Sequence, residues 1–137
     1  MARAIFAAVL AFALVVACDS GPHPYTGPAE KNLRVLTVST GGTVTLDVHS
    51  CKGGYEGFVT LDQQRAEVGL PTGRPTRLVF EFHDPRVSNK KEIVIEPRAG
   101  YRYEARVALK DAIHDIELRE IDLRSGVDRE INPYRGC

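Results

Sequence analysis

The sequence predicts an all-β fold, a small antiparallel β-sandwich. From Leu33 onward, apolar and polar residues alternate with a period of two, which is typical of half-buried strands. Glycine- and proline-rich turn signals separate these runs roughly every 8–12 residues, the spacing of a sandwich. No helical period competes after the N-terminal segment. Without that segment roughly 120 residues remain, which suffices for one ordinary domain with its own core.

The N-terminal segment is typical of a secretory signal. Arg3 precedes an unbroken apolar run, Ala4–Ala17. A basic start, an apolar stretch and small residues before a cleavage point are the three parts of such a signal. A membrane-spanning helix is the alternative, but a span needs about 20 apolar residues. Asp19 ends this run earlier, so we expect a signal peptide that is cleaved.

The end of the apolar run resembles a bacterial lipobox. The matching residues are Val15-Val16-Ala17-Cys18. The resemblance implies that residues 1–17 are removed and that Cys18 is lipidated on its thiol and becomes the new N-terminus. More than one acyl chain makes anchoring stable. Asp19 resembles an inner-membrane retention signal, so we expect a periplasm-facing protein of the bacterial cell envelope. An ordinary cleaved signal with an unmodified Cys18 remains the alternative.

Residues 18–32 are predicted to be the lipidated cysteine and a flexible tether. Proline and glycine are frequent there, and no apolar period is visible. Fully extended, such a tether reaches at most about 45–50 Å from the membrane.

The domain is predicted to span residues 33–137. We expect strands at Leu33–Val38, Thr43–His49, Phe58–Leu61, Ala66–Leu70, Thr76–His83, Lys91–Glu96, Tyr101–Leu109 and Ile113–Leu123. The first two are expected to form a hairpin over Ser39–Gly42. Apolar residues change register within Ile113–Leu123, which indicates a β-bulge or a short helix. The segment Ser125–Cys137 has no alternation and is expected to be irregular.

The clearest strand is Thr76–His83, which has a regular alternation and one apolar face. That face is formed by Leu78, Phe80 and Phe82. If this strand pairs with Lys91–Glu96, the other face carries charged residues around two exposed valines, Val79 and Val94. We interpret it as a solvated sheet face, with a modest protein-docking surface as the alternative.

Part of the domain resembles the PEGA and transthyretin-like β-sandwich domains, which recur in bacterial envelope lipoproteins. The matching stretches are Phe58–Asp62, Val68–Gly73 and Ile95–Tyr103, within residues 57–109. The usual Asp-Gly turn is replaced by Asp62–Arg65. The resemblance implies an immunoglobulin- or transthyretin-like sandwich with a binding or structural role.

Two cysteines remain once Cys18 is assigned to lipid. An even pair in an exported protein predicts a disulfide, Cys51 to Cys137, which would tie the C-terminal segment to a glycine-rich loop. Two free thiols are the alternative. Tyr55 and Tyr134 each lie near one of these cysteines, so the disulfide would bring the two rings together. We therefore predict them as partner-binding residues.

A metal site would require histidines from several strands to converge. The candidate ligands are His49, His83 and His114, with Asp84 or Asp115. Solvated histidines at the first two positions, and a partly buried, hydrogen-bonded one at the third, explain the pattern more simply. We expect no resident metal and no cofactor.

Composition and motifs narrow the function classes. The chain has 18 basic and 18 acidic residues, and a nucleic-acid partner would require a basic face. Nucleotide-binding, nucleophile-elbow and zinc-protease motifs are absent, so no catalytic residues are predicted. We expect a non-enzymatic lipoprotein that docks on an envelope protein or membrane assembly. The alternative is a periplasmic ligand- or metal-binding lipoprotein that uses the three histidines.

Overall fold

A computed structural model describes residues 21–38, 40, 42–61, 64–83, 88–111 and 113–137. Within these ranges the chain forms nine strands, and no helix there is long and apolar enough to cross a bilayer. The strands are β1 (Leu33–Val38), β2 (Thr43–Ser50), β3 (Gly54–Leu61), β4 (Arg65–Val68), β5 (Thr76–His83), β6 (Ser88–Ile95), β7 (Tyr101–Lys110), β8 (Ile113–Asp122) and β9 (Asp128–Ile131).

The strands form two sheets, which confirms the predicted all-β sandwich. One sheet has the order β4-β1-β7-β8-β9 and the other has the order β3-β2-β5-β6. Strand neighbours in the described sheets are antiparallel, apart from β1 and β7, which run parallel. Because successive side chains of a strand point to opposite faces, each sheet buries one face against the other.

The core is built from the inward residues of both sheets. Its large side chains include Phe80 and Phe82 of β5 and Tyr103 of β7, which are almost fully buried. Each such side chain contributes roughly 1.5–3 kcal/mol of hydrophobic stabilisation. The two valines expected on a solvated face are buried instead, with Val79 7% and Val94 9% exposed.

The hairpin predicted between β1 and β2 is wrong. β1 lies between β4 and β7 in the five-stranded sheet, and β2 lies between β3 and β5 in the other sheet. The connection between them therefore crosses from one sheet to the other. In a hairpin and in a crossover alike, both strands would bury their apolar residues in the same core. Alternation alone therefore does not distinguish the two connections.

The bulge or helix predicted within 113–123 is also wrong. β8 pairs with β7 in one continuous register, from Tyr101 opposite Asp122 to Lys110 opposite Ile113. The inward position after Ile116 and Leu118 is taken by Glu120, which is 6% exposed. The apparent change of phase arises because a carboxylate occupies a core position.

The C-terminal segment, predicted to be irregular, contains β9. Residues Asp128–Ile131 pair antiparallel with β8, from Ile121 opposite Asp128 to Leu118 opposite Ile131. Ile131 packs against the core cluster. The segment therefore extends the five-stranded sheet by one edge strand before the chain turns away.

The described part of the predicted tether packs on the domain, so the prediction needs correction there. The Tyr25 amide donates to the Phe58 carbonyl oxygen at 2.9 Å, and the Phe58 amide donates to the His23 carbonyl oxygen at 2.9 Å. The segment thereby pairs with the free edge of β3. A Cβ on Gly57 would come within 2.6 Å of the Tyr25 Cα, and its φ of 138° also favours glycine.

A second set of contacts holds the residues just before β1. The Tyr25 hydroxyl donates to the Gly69 carbonyl oxygen at 2.7 Å. The buried Asn32 side chain donates to the Leu70 carbonyl oxygen and accepts from the Leu70 amide, both at 2.8 Å. A Cβ on Gly69 would overlap the carbonyl oxygen of Pro28. We call residues 21–32 the entry segment.

One end of the sandwich contains four connections between strands and the C-terminal segment. We call it the disulfide end, and it comprises residues 51–53, 69–75, 96–100, 123–127 and 132–137. The entry segment reaches the domain at this end, where the His23 ring lies 3.2 Å from the Glu56 carbonyl oxygen.

Candidate functional site

The lipidation motif lies outside the described residues. These begin at Gly21, three residues after Cys18. The predicted signal peptide, the lipid on Cys18 and the retention signal at Asp19 therefore stay predictions.

The predicted disulfide is confirmed. Cys51 and Cys137 are bonded, with their Cα atoms 5.5 Å apart and 86 positions between them in sequence. Cys51 follows β2 directly, and its amide donates to the Pro75 carbonyl oxygen at 3.3 Å. The bond fixes the last residue of the chain to the four-stranded sheet.

The segment before Cys137 joins the two sheets. The Pro133 carbonyl oxygen accepts from the Val94 amide of β6 at 3.0 Å. The Tyr134 hydroxyl accepts from the Ile116 amide of β8 at 3.2 Å and donates to the Asp115 carboxylate at 2.8 Å. Burial raises the pKa of Tyr134, the largest of several effects. Tyr134 therefore helps to hold the C-terminal segment on β8, although the residue is 47% exposed.

The two predicted partner-binding tyrosines do not form one cluster. Tyr55 lies at the start of β3 and is 36% exposed. Its ring meets the rings of His23 and His49 edge-on, with centroids 5.2 and 5.4 Å apart. Tyr134 contacts β8 instead, and among the described contacts the two tyrosines share no neighbour. Their role in partner binding stays a prediction.

A cleft of about 870 Å³ lies at the disulfide end. Its walls come from the connections 72–75 and 96–99, from β9 and from the C-terminal segment. Polar and charged side chains line much of it, namely Glu96, Arg98, Tyr103, Glu120, Arg129 and Arg135. Sequence reasoning assigned none of these residues to a site.

The buried Glu120 carboxylate organises one wall of the cleft. It accepts from the Arg98 guanidinium at 2.7 Å, from the Arg129 guanidinium at 2.8 and 3.2 Å, and from the Tyr103 hydroxyl at 2.9 Å. The Arg98 amide in turn donates to the Tyr103 hydroxyl at 3.1 Å. Charge-assisted bonds of this kind are stronger than neutral ones, so the group holds the 96–100 turn and β9 to the core.

These partners keep Glu120 ionised. Burial acts to raise its pKa, but the hydrogen bonds from Arg98, Arg129 and Tyr103 act against burial, and the net shift is downward. The pKa of Tyr103 is raised, mainly by burial. The carboxylate therefore neutralises part of the charge of the two arginines at the cleft wall.

The cleft can bind an anionic group. The side chains of Arg98 and Arg129 are 52% and 61% exposed, although each contacts Glu120. Arg135 has no acidic partner among the described residues. Guanidinium groups match the geometry of phosphate and carboxylate oxygens. No histidine lines the cleft within the described ranges.

The three histidines of the metal hypothesis do not converge. His49 lies opposite Arg77, while His83 lies opposite Thr43 at the other end of the same strand pair. Residues 77 and 83 of β5 are roughly 20 Å apart along a strand. No group of three ligand-type side chains occurs within the described residues. Burial, followed by the charge of Arg77, lowers the pKa of His49.

His114 belongs to the core, as the simpler reading of its position predicts. It is fully buried and stacks on Phe82, with ring centroids 3.8 Å apart. Its Nδ1 lies 3.1 Å from Asn89 Oδ1, and its Nε2 lies 3.2 Å from the Thr40 carbonyl oxygen. Both ring nitrogens are therefore engaged within the protein.

One signal in the sequence could have revealed the Glu120 cluster. Glu120 follows Ile116 and Leu118 at intervals of two, so an unbroken strand places its carboxylate inward. An inward carboxylate requires hydrogen-bonding partners. Arg98 and Arg129 lie far from it in sequence, and nothing local identifies them as those partners.

Comparison with known proteins finds no relative of this chain. No protein-family model matches it, and neither the curated proteins nor the solved structures contain a match.

Proposed function

We propose that this chain is a lipid-anchored lipoprotein of the bacterial cell envelope, a non-enzymatic module that docks on an envelope protein. Its signal peptide would direct export, Cys18 would carry the lipid and the β-sandwich would supply the binding surface. The lipobox-like Val15–Cys18 motif is the main sequence support for this proposal.

The Cys51–Cys137 bond is the structural observation that carries the proposal. Disulfides persist in oxidising compartments and are rare in the cytosol. The disulfide in the domain and the export signal before it both indicate an oxidising compartment outside the cytosol. The two features depend on different residues. Pairing of Cys51 with Cys137 also leaves Cys18 as the unpaired one of the three cysteines of the chain.

The docking part of the proposal depends on the shape of the domain. A rigid sandwich presents a cleft at one end, where its arginines offer donors to an anionic side chain or chain terminus. The histidine-based carrier is less well supported because His49 and His83 lie at opposite ends of their strand pair.

Membrane fractionation with matched cysteine variants tests the anchor. We expect the Cys18→Ser variant to lose the mass of the lipid. The Cys51→Ser/Cys137→Ser variant should remain lipidated and in the membrane fraction. Loss of lipid in both variants, or in neither, would contradict the assignment of Cys18 as the attachment site.

Crosslinking in native membranes tests the docking. We expect a specific partner to be captured through a photoreactive residue placed at Arg135 in the cleft, and not through one at Lys90 on the opposite part of β6. Recovery of no envelope protein from either position would count against a docking module.

A further inference from the structure

We propose that the disulfide end of the sandwich faces the bilayer and binds the phosphate groups of anionic phospholipids. This inference rests on the proposed lipid attachment at Cys18, and it adds an orientation and a membrane-binding surface. Three observations carry it: the position of the entry segment, the charge of the connections and an exposed apolar turn.

The entry segment limits the distance between the proposed lipid on Cys18 and the folded domain. Gly21 lies three residues after Cys18, so the two Cα atoms are at most about 11 Å apart. The chain then runs parallel to β3, with His23 against Glu56 near the disulfide end and Pro24 opposite Phe58 at the middle of the strand. The strands of the domain are up to 10 residues long, or roughly 33 Å. The opposite end therefore lies beyond the reach of the anchor, whereas the disulfide end lies within it.

The connections at the two ends differ in charge. Those of the disulfide end contain a single acidic residue, Glu96, and five basic residues: Lys52, Arg74, Arg98, Arg124 and Arg135. At the opposite end the described connection residues, 40, 42, 64 and 111, contain one acidic residue, Asp111, and no basic one. Although the whole chain is neutral, a negatively charged surface attracts the disulfide end.

Two of these cations, Lys52 and Arg124, are available for phosphate. Arg74 faces Glu56 at 3.7 Å, and Arg98 contacts Glu120. Lys52, Arg124 and Arg135 have no acidic partner within the described part of the chain. Arg135 lines the cleft with Arg98 and Arg129, which the proposed function assigns to a protein partner.

An exposed apolar turn lies at the same end. Leu123 and Val127, which flank the β8–β9 turn, are 55% and 59% exposed. Arg124 lies between them in sequence. Aliphatic side chains next to a cation are typical of surfaces that enter the headgroup region, where the apolar groups are buried and the cation meets phosphate. Tyr55, 36% exposed, adds an amphipathic ring at this end.

Accessibility of two positions in proteoliposomes tests the orientation. An introduced cysteine is the only free thiol if Cys18 is lipidated and the other two are bonded, so Ser125→Cys and Lys110→Cys can each carry one spin label. In vesicles of phosphatidylcholine with about 30% phosphatidylglycerol we expect the Ser125 label to be accessible to oxygen and shielded from a water-soluble nickel chelate. The Lys110 label, at the opposite end, should behave as fully hydrated.

A charge variant tests the role of the headgroups. Each basic residue near such a surface favours binding about fivefold, so Lys52→Ala/Arg124→Ala should lower the ratio of docked to undocked domain about thirtyfold. The control Lys90→Ala/Lys110→Ala removes two charges elsewhere and should leave this ratio unchanged. Vesicles of phosphatidylcholine alone should show at least the loss of the first variant, because they remove the attraction of every basic residue at this end.

The outcomes separate this inference from the proposed function. Water accessibility at both labels in a protein that carries lipid on Cys18 would overturn the orientation and leave the anchor intact. Equal shielding of the Ser125 label with and without phosphatidylglycerol would overturn the recognition of anionic phospholipids. A protein without lipid on Cys18 would instead refute the anchor on which the inference rests.

Discussion

Removing the disulfide by the double substitution Cys51→Ala/Cys137→Ala should lower the free energy of unfolding by about 4–5 kcal/mol. The bond joins residues separated by 86 positions, so it constrains most of the unfolded domain. In the chain-entropy model the stabilisation grows with the logarithm of loop length, and this loop gives a value near the upper part of the usual range. Because small domains are stable by only about 5–15 kcal/mol, the change is large.

The folded state should keep its shape in this variant. The Pro133 carbonyl oxygen and the Tyr134 hydroxyl still hold the C-terminal segment to β6 and β8. The matched control is Tyr134→Phe, which keeps the disulfide and removes two hydrogen bonds. It should cost about 1–2 kcal/mol, and so separates the local contacts from the effect of the crosslink.

Urea denaturation followed by far-ultraviolet circular dichroism measures both effects, since the chain has no tryptophan. The double variant should also show a steeper dependence on urea, because an unfolded chain without the crosslink exposes more surface. A loss of less than about 1 kcal/mol would refute the chain-entropy reasoning. A loss equal to that of Tyr134→Phe would assign the stabilisation to local contacts.

The remaining predictions concern the core and the entry segment. Glu120→Gln should cost about 1.5–3 kcal/mol. The Glu120 carboxylate contributes stability that is complete above about pH 5 and is lost as pH falls through its lowered pKa in the folded state. The Gln variant should lack this dependence of stability on pH. Urea titrations at several pH values in which the variant keeps it would contradict the prediction. His114→Ala should cost about 2–4 kcal/mol in thermal unfolding, and the exposed His83→Ala less than about 0.5 kcal/mol; equal effects would refute a core role. Gly69→Ala should speed proteolysis of the entry segment, whereas Gly136→Ala, with open space around it, should not.

Alternation predicted most strand positions because burial on one face depends on local sequence. β5 and β7 begin at the predicted residues, Thr76 and Tyr101. The sheet to which a strand belongs depends on non-local pairing, and β1 illustrates this. Its pairing with β4 and in parallel with β7 leaves no signal in its own six residues.

The disulfide was predictable because the chain offers so few cysteines. The cleft was not, because its wall joins Arg98 and Arg129 to Glu120 across three separate elements. The entry segment was missed for another reason. Its contacts are hydrogen bonds from backbone and from Tyr25 and Asn32 to a sheet edge, and such contacts require no apolar period.

The intact mass of the protein extracted from its native membrane tests the central claim most directly. The measurement is made with alkylation before and after reduction. We expect a lipid-modified chain that begins at Cys18, with two further thiols alkylated only after reduction. An unlipidated chain in which Cys51 and Cys137 react without reduction would contradict both the anchor and the exported, disulfide-bonded domain.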